Sequence, residues 1–189
     1  MPRYWFPKPY ADVVARLRVS SGFVLVAAFA IFSRPTAASL GIGIPVSLCG
    51  IWLRAWAAGH LEKNQRLATG GPYAHTRNPL YLGTLLTAAG LVAASRNWWL
   101  AALFGLVFAL IYLPVIELEE QHLRKLFPSY AEYAERVPRL LPWRVRAQRL
   151  PGDGPAPHFR MALYRKNREY QALTAYLTGV IFLLWRSGI

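Results

Sequence analysis

Residues 70–83 place a glycine turn, a permanent cation and two tyrosines between two long apolar runs, and the stretch reads GGPYAHTRNPLYLG. A second polar group, with the acidic pair Glu119–Glu120, follows a later apolar run. Polar side chains held against the ends of membrane helices usually serve a binding or catalytic site. These two groups are therefore the candidate chemistry of the chain.

The glycine turn and the residues after it suit an anionic ligand group. Gly71 can adopt backbone conformations that are closed to other residues, and its missing side chain lets a ligand approach the main chain. Asn78 precedes Pro79, at a position where its side chain can cap the helix that follows. The N-terminus of a helix beside Arg77 would attract a carboxylate.

The other charged candidates have two readings each. Glu119 and Glu120 are neighbours on a helix and point roughly 100° apart, so the two carboxylates are not expected to contact the same atom. Glu120 could instead pair with Arg124 on the helix surface. Arg54 lies inside an apolar run, where it either extends its charge to the interface or lines a cavity and holds an acidic group. His60 could titrate near neutral pH or serve as an interfacial polar residue.

The apolar residues are gathered into blocks, which predicts a membrane protein. Hydrophobic residues make up 54% of the chain and charged residues 16%. A span needs roughly 20 apolar residues, so the second and fourth runs qualify clearly. The first and third are shorter but are paired with them through tight turns, and the fifth is borderline. We predict an all-α polytopic integral membrane bundle of four to five transmembrane helices, from the runs 19–32, 37–59, 79–95, 98–116 and 173–185.

The predicted organisation has three parts: an interfacial N-terminal segment (1–18), a membrane core (19–142) and a basic linker with a membrane-associated C-terminal helix (143–189). Within the core, Ser129 and Glu132 form a capping-box pattern ahead of a short helix over residues 130–136. The prolines and glycines of residues 150–157 predict a linker. Residues 159–171 are basic and predict a helix on the membrane surface.

The charge distribution predicts the orientation. The formal net charge is +13, but the chain has no nucleic-acid recognition motif, so anionic membrane lipid is the expected partner rather than nucleic acid. Lysines and arginines concentrate on one side of the runs, and the two short turns on the other side carry only Arg34 and Arg96. This asymmetry places the residue 70 loop in the cytoplasm. We predict that the lone cysteine, Cys49, is a small residue of the core. The chain has no Cys/His spacing that would indicate a metal site.

Two ordered motifs resemble the isoprenylcysteine carboxyl methyltransferase and phospholipid methyltransferase family over about residues 55–142. The first comprises Gly71-Pro72-Tyr73, Arg77-Asn78-Pro79, Tyr81 and Gly83. The second comprises Glu119-Glu120, Leu123, Phe127, Tyr130, Tyr133, Val137-Pro138-Arg139 and Pro142. Asn78 departs from the eukaryotic carboxyl methyltransferases, which usually have His there, and this weakens prenylcysteine as the expected substrate.

The resemblance implies an S-adenosylmethionine-dependent methyltransferase that acts on a lipophilic or amphiphilic carboxylate, amine or thiol, in a bacterial inner membrane with the site facing the cytoplasm. We expect Arg77 and Glu119 to act in catalysis, and Arg54 and His60 to bind the acceptor. The motifs imply that a cytoplasmic helical segment binds the cofactor. The residues of the implied cofactor pocket are Gly71, Pro72, Tyr73, Arg77, Asn78, Pro79, Tyr81, Glu119, Glu120 and Tyr133.

Two alternatives remain open from the sequence. Membrane sterol reductases share a similar helical architecture and an Arg-Asn/His-Pro-x-Tyr element and use NADPH, whose 2′-phosphate could be met by Lys63 and Arg66. A lipid-binding membrane protein without enzymatic activity is the third class. The sequence does not determine the oligomeric state.

Overall fold

The computed structural model describes residues 5–142 and 158–188, and within these two ranges the chain is mainly helical and contains no strand. The prediction of an all-α fold is confirmed. The elements are α1 (Lys8–Phe32), α2 (Ala37–Ala58), a 3₁₀ turn (Gly71–Ala74), α3 (Pro79–Ser95), α4 (Trp98–Val107), a π segment (Phe108–Tyr112), α5 (Leu113–Leu126), α6 (Tyr130–Arg136), α7 (Met161–Lys166) and α8 (Tyr170–Ser187).

Two described helices are long and apolar enough to cross a membrane: α2, and the continuous helix Trp98–Leu126 that contains α4, the π segment and α5. A third is added if the two halves of α1, which are bent by 52°, form one span. Helix α3 is apolar but has only 17 residues. These helices indicate an integral membrane protein, while the number of four to five spans stays a prediction. Large apolar side chains such as Phe23 and Trp52 face outward, as they do toward lipid.

Helix α1 begins at Lys8, so most of the predicted N-terminal segment is helical. Pro9 lies in its first turn, where the fixed φ of proline favours a helix. At the other end of α1 the two predicted tight turns meet. The Arg34 amide donates to the Ser95 carbonyl at 2.8 Å, and the Asn97 side chain donates to the Phe32 carbonyl at 2.9 Å. Both predicted helical hairpins therefore turn at the same end of the helices, which we call the opposite end. The residue 70 loop lies at the other end of the helices, which we call the site end.

Helices α2 and α3 pack as an antiparallel pair through their small residues. A side chain at Gly83 would come within 2.8 Å of the Gly50 carbonyl oxygen and 2.6 Å of Cγ of Arg54. Close backbone approach through small residues is typical of membrane helices. Cys49 lies off this face and is exposed, so its prediction as a core residue was wrong.

The C-terminal helices differ in part from the prediction. The predicted basic helix is divided into α7 and the start of α8 at Arg168, which has φ +56°. Helix α8 runs to the opposite end, where Arg186 donates to the carbonyls of Ala30 and Ile31 at 2.9 and 3.0 Å. The predicted linker 150–157 lies outside the described residues, and the division of the chain into three parts stays a prediction.

The short helix α6 has the predicted bounds, but its predicted capping box is absent from the structure. Ser129 occupies the N-cap position with φ −71° and ψ −8°, and its side chain makes no capping hydrogen bond. A capping side chain needs an extended backbone at the N-cap, which these angles do not provide. Glu132 pairs with Arg136 instead.

Candidate functional site

A buried carboxylate joins the two sequence motifs at the site end. Glu120 of α5 is 2% exposed. One of its oxygens accepts a hydrogen bond from Nδ2 of Asn78 at 3.0 Å and lies 3.3 Å from Nε of Arg77. Its other oxygen lies 3.2 Å from Nη2 of Arg139. The loop before α3, helix α5 and the chain after α6 therefore meet at one buried ionic cluster, the Glu120 cluster (Arg77, Asn78, Glu120 and Arg139), in which the guanidinium groups offset the cost of burying the carboxylate.

The backbone after α6 is tied to the loop before α3. The Arg77 amide donates to the Pro138 carbonyl at 2.9 Å. The Arg139 carbonyl accepts from Nδ2 of Asn78 at 2.9 Å and from the Thr76 hydroxyl at 3.3 Å. Sequence reasoning did not propose Arg139 as a site residue. Arg139 is the single cationic residue of the second motif, and this could have identified it as the partner of a buried carboxylate.

The structure corrects two expectations about this cluster. Asn78 occupies the N-cap position of α3, but its side chain makes no capping hydrogen bond; its Nδ2 instead donates to Glu120 and to the Arg139 carbonyl. Glu120 does not pair with Arg124, whose guanidinium lies over the Tyr130 ring at 5.4 Å. Nε of Arg77 is buried and makes no aligned hydrogen bond, although it lies within ion-pair distance of Glu120.

Glu119 points away from its neighbour, as the helical geometry predicts. Its side chain is exposed and accepts a hydrogen bond from the Tyr81 hydroxyl at 2.9 Å. The Tyr81 ring contacts the edge of Tyr112, with 6.2 Å between the ring centroids. Tyr112 ends the π segment, and such segments are frequent at functional sites. The acidic pair therefore contributes one buried and one accessible carboxylate.

Three buried tyrosines, the tyrosine cluster (Tyr73, Tyr130 and Tyr133), line the loop and α6. The Tyr133 hydroxyl donates to the Tyr73 carbonyl at 2.7 Å. Burial raises the pKa of all three hydroxyls, and for Tyr73 the charges of Glu169 and Glu119 raise the pKa further. These hydroxyls are therefore neutral at neutral pH and do not act as bases.

Of the two predicted acceptor-binding residues, His60 lies against the glycine turn and Arg54 lies against the start of α3. Gly71 has φ +59°, and a side chain there would come within 2.6 Å of Nε2 of His60. The buried His60 shares a 2.9 Å hydrogen bond with the Trp56 carbonyl. Arg54 pairs with Glu169, so its guanidinium is already engaged by a carboxylate. Pro72 and Pro79 are fully buried and shape the backbone on either side of the loop.

The charges of the site suit a ligand with groups of both signs. Two guanidinium groups of the Glu120 cluster face one carboxylate, which leaves a positive excess for an anion. Glu119 adds an accessible acceptor for an ammonium or a pair of hydroxyls. Within residues 5–142 and 158–188, no group of three or more His, Cys, Asp or Glu side chains is arranged to hold a metal ion.

Comparison with known proteins gives one family match and several relatives. Residues 38–130 match the family model described as phospholipid methyltransferase. The chain is similar to the cobalt-zinc-cadmium resistance protein CzcN of Cupriavidus metallidurans, with 38% identity over 110 residues that cover 57% of this chain and 50% of that protein. It is also similar to the nickel-cobalt-cadmium resistance protein NccN of Alcaligenes xylosoxydans xylosoxydans, with 35% identity over 102 residues that cover 53% and 47%.

A eukaryotic relative extends the similarity. The protein-S-isoprenylcysteine O-methyltransferase of Schizosaccharomyces pombe is 28% identical over 141 residues, which cover 71% of this chain and 59% of that protein. The chain spans about half the length of the two bacterial relatives. No solved structure matches.

Proposed function

We propose that the protein transfers a methyl group from S-adenosylmethionine to a lipophilic or amphiphilic acceptor, and the match of residues 38–130 to the phospholipid methyltransferase family model supports this. The proposed place of the reaction is the site end, facing the cytoplasm of a bacterial inner membrane. The concentration of lysine and arginine on the site-end segments supports this orientation.

The Glu120 cluster is the observation that carries the proposal. Its members come from both motifs, and they lie in contact although Asn78 and Glu120 are 42 residues apart in the chain. A shared pocket requires the two motifs to be close. Because the buried Glu120 carboxylate has three partners, the arrangement is also rigid, which a preorganised site needs.

The residues present fit the groups of S-adenosylmethionine. The unaligned, buried Nε of Arg77 and the positive excess of the cluster suit the α-carboxylate of the cofactor. Glu119 suits its ammonium or ribose hydroxyls, and Tyr81 or the tyrosine cluster offers aromatic faces for adenine. When bound, the cofactor supplies a methyl group activated by a sulfonium.

The protein's contribution to the rate is then mainly alignment of the reacting groups. Attraction between Glu119 and a cationic cofactor helps binding, but attraction that is equal in the ground state and the transition state does not accelerate transfer. Holding the acceptor in line with the methyl group does. A carboxylate acceptor needs no base, whereas an amine or thiol must lose a proton, and the neutral tyrosine cluster does not accept one at neutral pH.

Calorimetric titration of the purified full chain with S-adenosylhomocysteine, and separately with NADPH, tests this proposal. We expect S-adenosylhomocysteine to bind and NADPH not to bind. Glu119→Gln should weaken binding by about tenfold, the effect of losing one charged contact of about 1.4 kcal/mol. The matched control is Glu132→Gln, which removes an exposed carboxylate on α6 and should leave the affinity unchanged.

The other results of this titration contradict the proposal in different ways. Binding of NADPH alone would indicate the reductase. Binding of neither compound would indicate a protein that binds lipid without this cofactor. Equal loss of affinity in Glu119→Gln and the control would remove Glu119 from the site.

A further inference from the structure

The segment 158–169, which we call the C-terminal strap, lies outside the family match yet closes over the site-end terminus of α2. The Arg160 amide donates to the Gly59 carbonyl at 2.9 Å. Nδ2 of Asn167 donates to the carbonyls of Ala58 and Leu61, each at 2.9 Å. A helix leaves its last carbonyls without intrahelical partners, and the strap bonds the Ala58 carbonyl at the end of α2 and the Gly59 and Leu61 carbonyls just beyond it.

The strap also supports the glycine turn of the first motif. The Phe159 ring packs against Gly59 and the edge of His60, with 6.4 Å between the ring centroids. The His60 ring also lies against Gly71. The turn that begins the first motif therefore rests on the strap through one intervening ring.

The strongest contact of the strap is the ion pair between Glu169 and Arg54. Nε and Nη2 of Arg54 donate to the two carboxylate oxygens of Glu169 at 3.0 and 2.9 Å. The Arg54 side chain is only 22% exposed and the Glu169 side chain only 11%. Two parallel charge-assisted hydrogen bonds fix both distance and orientation. The remaining nitrogen of Arg54 donates to the Thr84 hydroxyl and, at 3.4 Å, to the Leu80 carbonyl.

Every guanidinium nitrogen of Arg54 thus has a protein partner, and the partners link three elements. Glu169 belongs to the strap, Arg54 to α2, and Leu80 and Thr84 to the first two turns of α3. Those turns also carry Tyr81 and follow Asn78. The charge of Glu169 reaches Tyr73 as well, where it is the second cause, after burial, of a raised pKa.

We propose that Glu169 is a positioning residue of the site, which holds Arg54 against Leu80 and Thr84 and thereby fixes the start of α3. The strap is then a working part of the cofactor pocket although it lies beyond the family match. Arg54 acts as a strut rather than as the acceptor's anion receptor. The effect on cofactor affinity rests on the proposed function, whereas the effect on α3 does not.

The test compares Glu169→Gln with Glu62→Gln in the full chain. Glu62→Gln removes the more exposed ion pair of the same strap, with Arg160, and serves as the matched control. We expect Glu169→Gln to weaken S-adenosylhomocysteine binding by about tenfold and to increase amide hydrogen exchange at residues 80–84. The control should change neither. Arg54→Gln should reproduce the effect, and the double variant should be no weaker than either single variant because both remove one interaction.

The two measurements separate the possible failures. Unchanged exchange at residues 80–84 in Glu169→Gln would overturn the inference whether or not the cofactor binds. A lower thermal midpoint with unchanged affinity and exchange would mean a purely stabilising role and would also overturn it. If the unaltered protein fails to bind S-adenosylhomocysteine, the proposed function fails while the exchange result still decides the positioning role. Glu169→Asp, which keeps the charge, replaces Glu169→Gln if that variant does not fold.

Discussion

Glu120→Gln is the perturbation that most directly tests the joining of the two motifs. The substitution keeps the size of the side chain but removes the charge that faces Arg77 and Arg139. It also turns one acceptor oxygen into a donor group, directed at either Asn78 or a guanidinium. Removing one partner of a buried ion pair typically costs about 3–5 kcal/mol, because the other charge stays buried without compensation.

The expected magnitude follows from the exposure of the two arginines. The Arg77 side chain is 10% exposed and loses its only ionic partner among the described residues, whereas Arg139 is 29% exposed and can rehydrate in part. We therefore expect a loss near the lower bound, about 3 kcal/mol. For a chain of this size each kcal/mol lowers the unfolding midpoint by about 2–4 °C. The midpoint should fall by roughly 6–12 °C.

Thermal unfolding in detergent, followed by the fluorescence of the seven tryptophans, measures this shift. Glu119→Gln is the matched control, because it removes the same group from the adjacent position, where the carboxylate is exposed and bonded to Tyr81. An exposed carboxylate contributes at most about 1 kcal/mol. A midpoint for Glu120→Gln within about 2 °C of the unaltered protein, or an equal fall in the control, would refute the buried cluster.

Three further predictions test other parts of the structure. Gly83→Ala should destabilise the protein by about 1–3 kcal/mol through overpacking against α2, whereas Gly105→Ala, which meets no atom within 4 Å, should not, as thermal unfolding of both will check. Asn78→Asp should destabilise more than Asn78→Ala at neutral pH, since it sets a second carboxylate beside Glu120, and the difference in midpoint should shrink on acidification. Burial raises the pKa values of the tyrosine cluster above the ordinary value of about 10. The contribution of the neutral hydroxyls to stability is therefore present below about pH 10 and is lost as the pH rises through the raised pKa values. Tyrosinate absorbance should show these groups ionising only together with loss of helical circular dichroism.

The sequence by itself determined the helical class and most of the helical elements of the membrane core. Apolar runs, prolines and tight polar turns are local signals, and they gave the helical class, both hairpin turns and the bounds of α6. The helical angle between adjacent residues likewise predicted that Glu119 and Glu120 diverge. The two motifs indicated a resemblance to this family from residue types and spacing alone, and residues 38–130 match the phospholipid methyltransferase family model.

Only the tertiary structure decided which partners the polar groups choose. Glu120 pairs with Arg77 and Arg139 rather than with Arg124 one turn away, because burial removes water and favours the two guanidinium groups that the packed loop brings near. Arg54 finds Glu169 at a distance of 115 residues in the chain. Neither pair leaves a periodic signal, since a side chain's partner depends on which distant backbone is packed against it and not on its own neighbours in sequence.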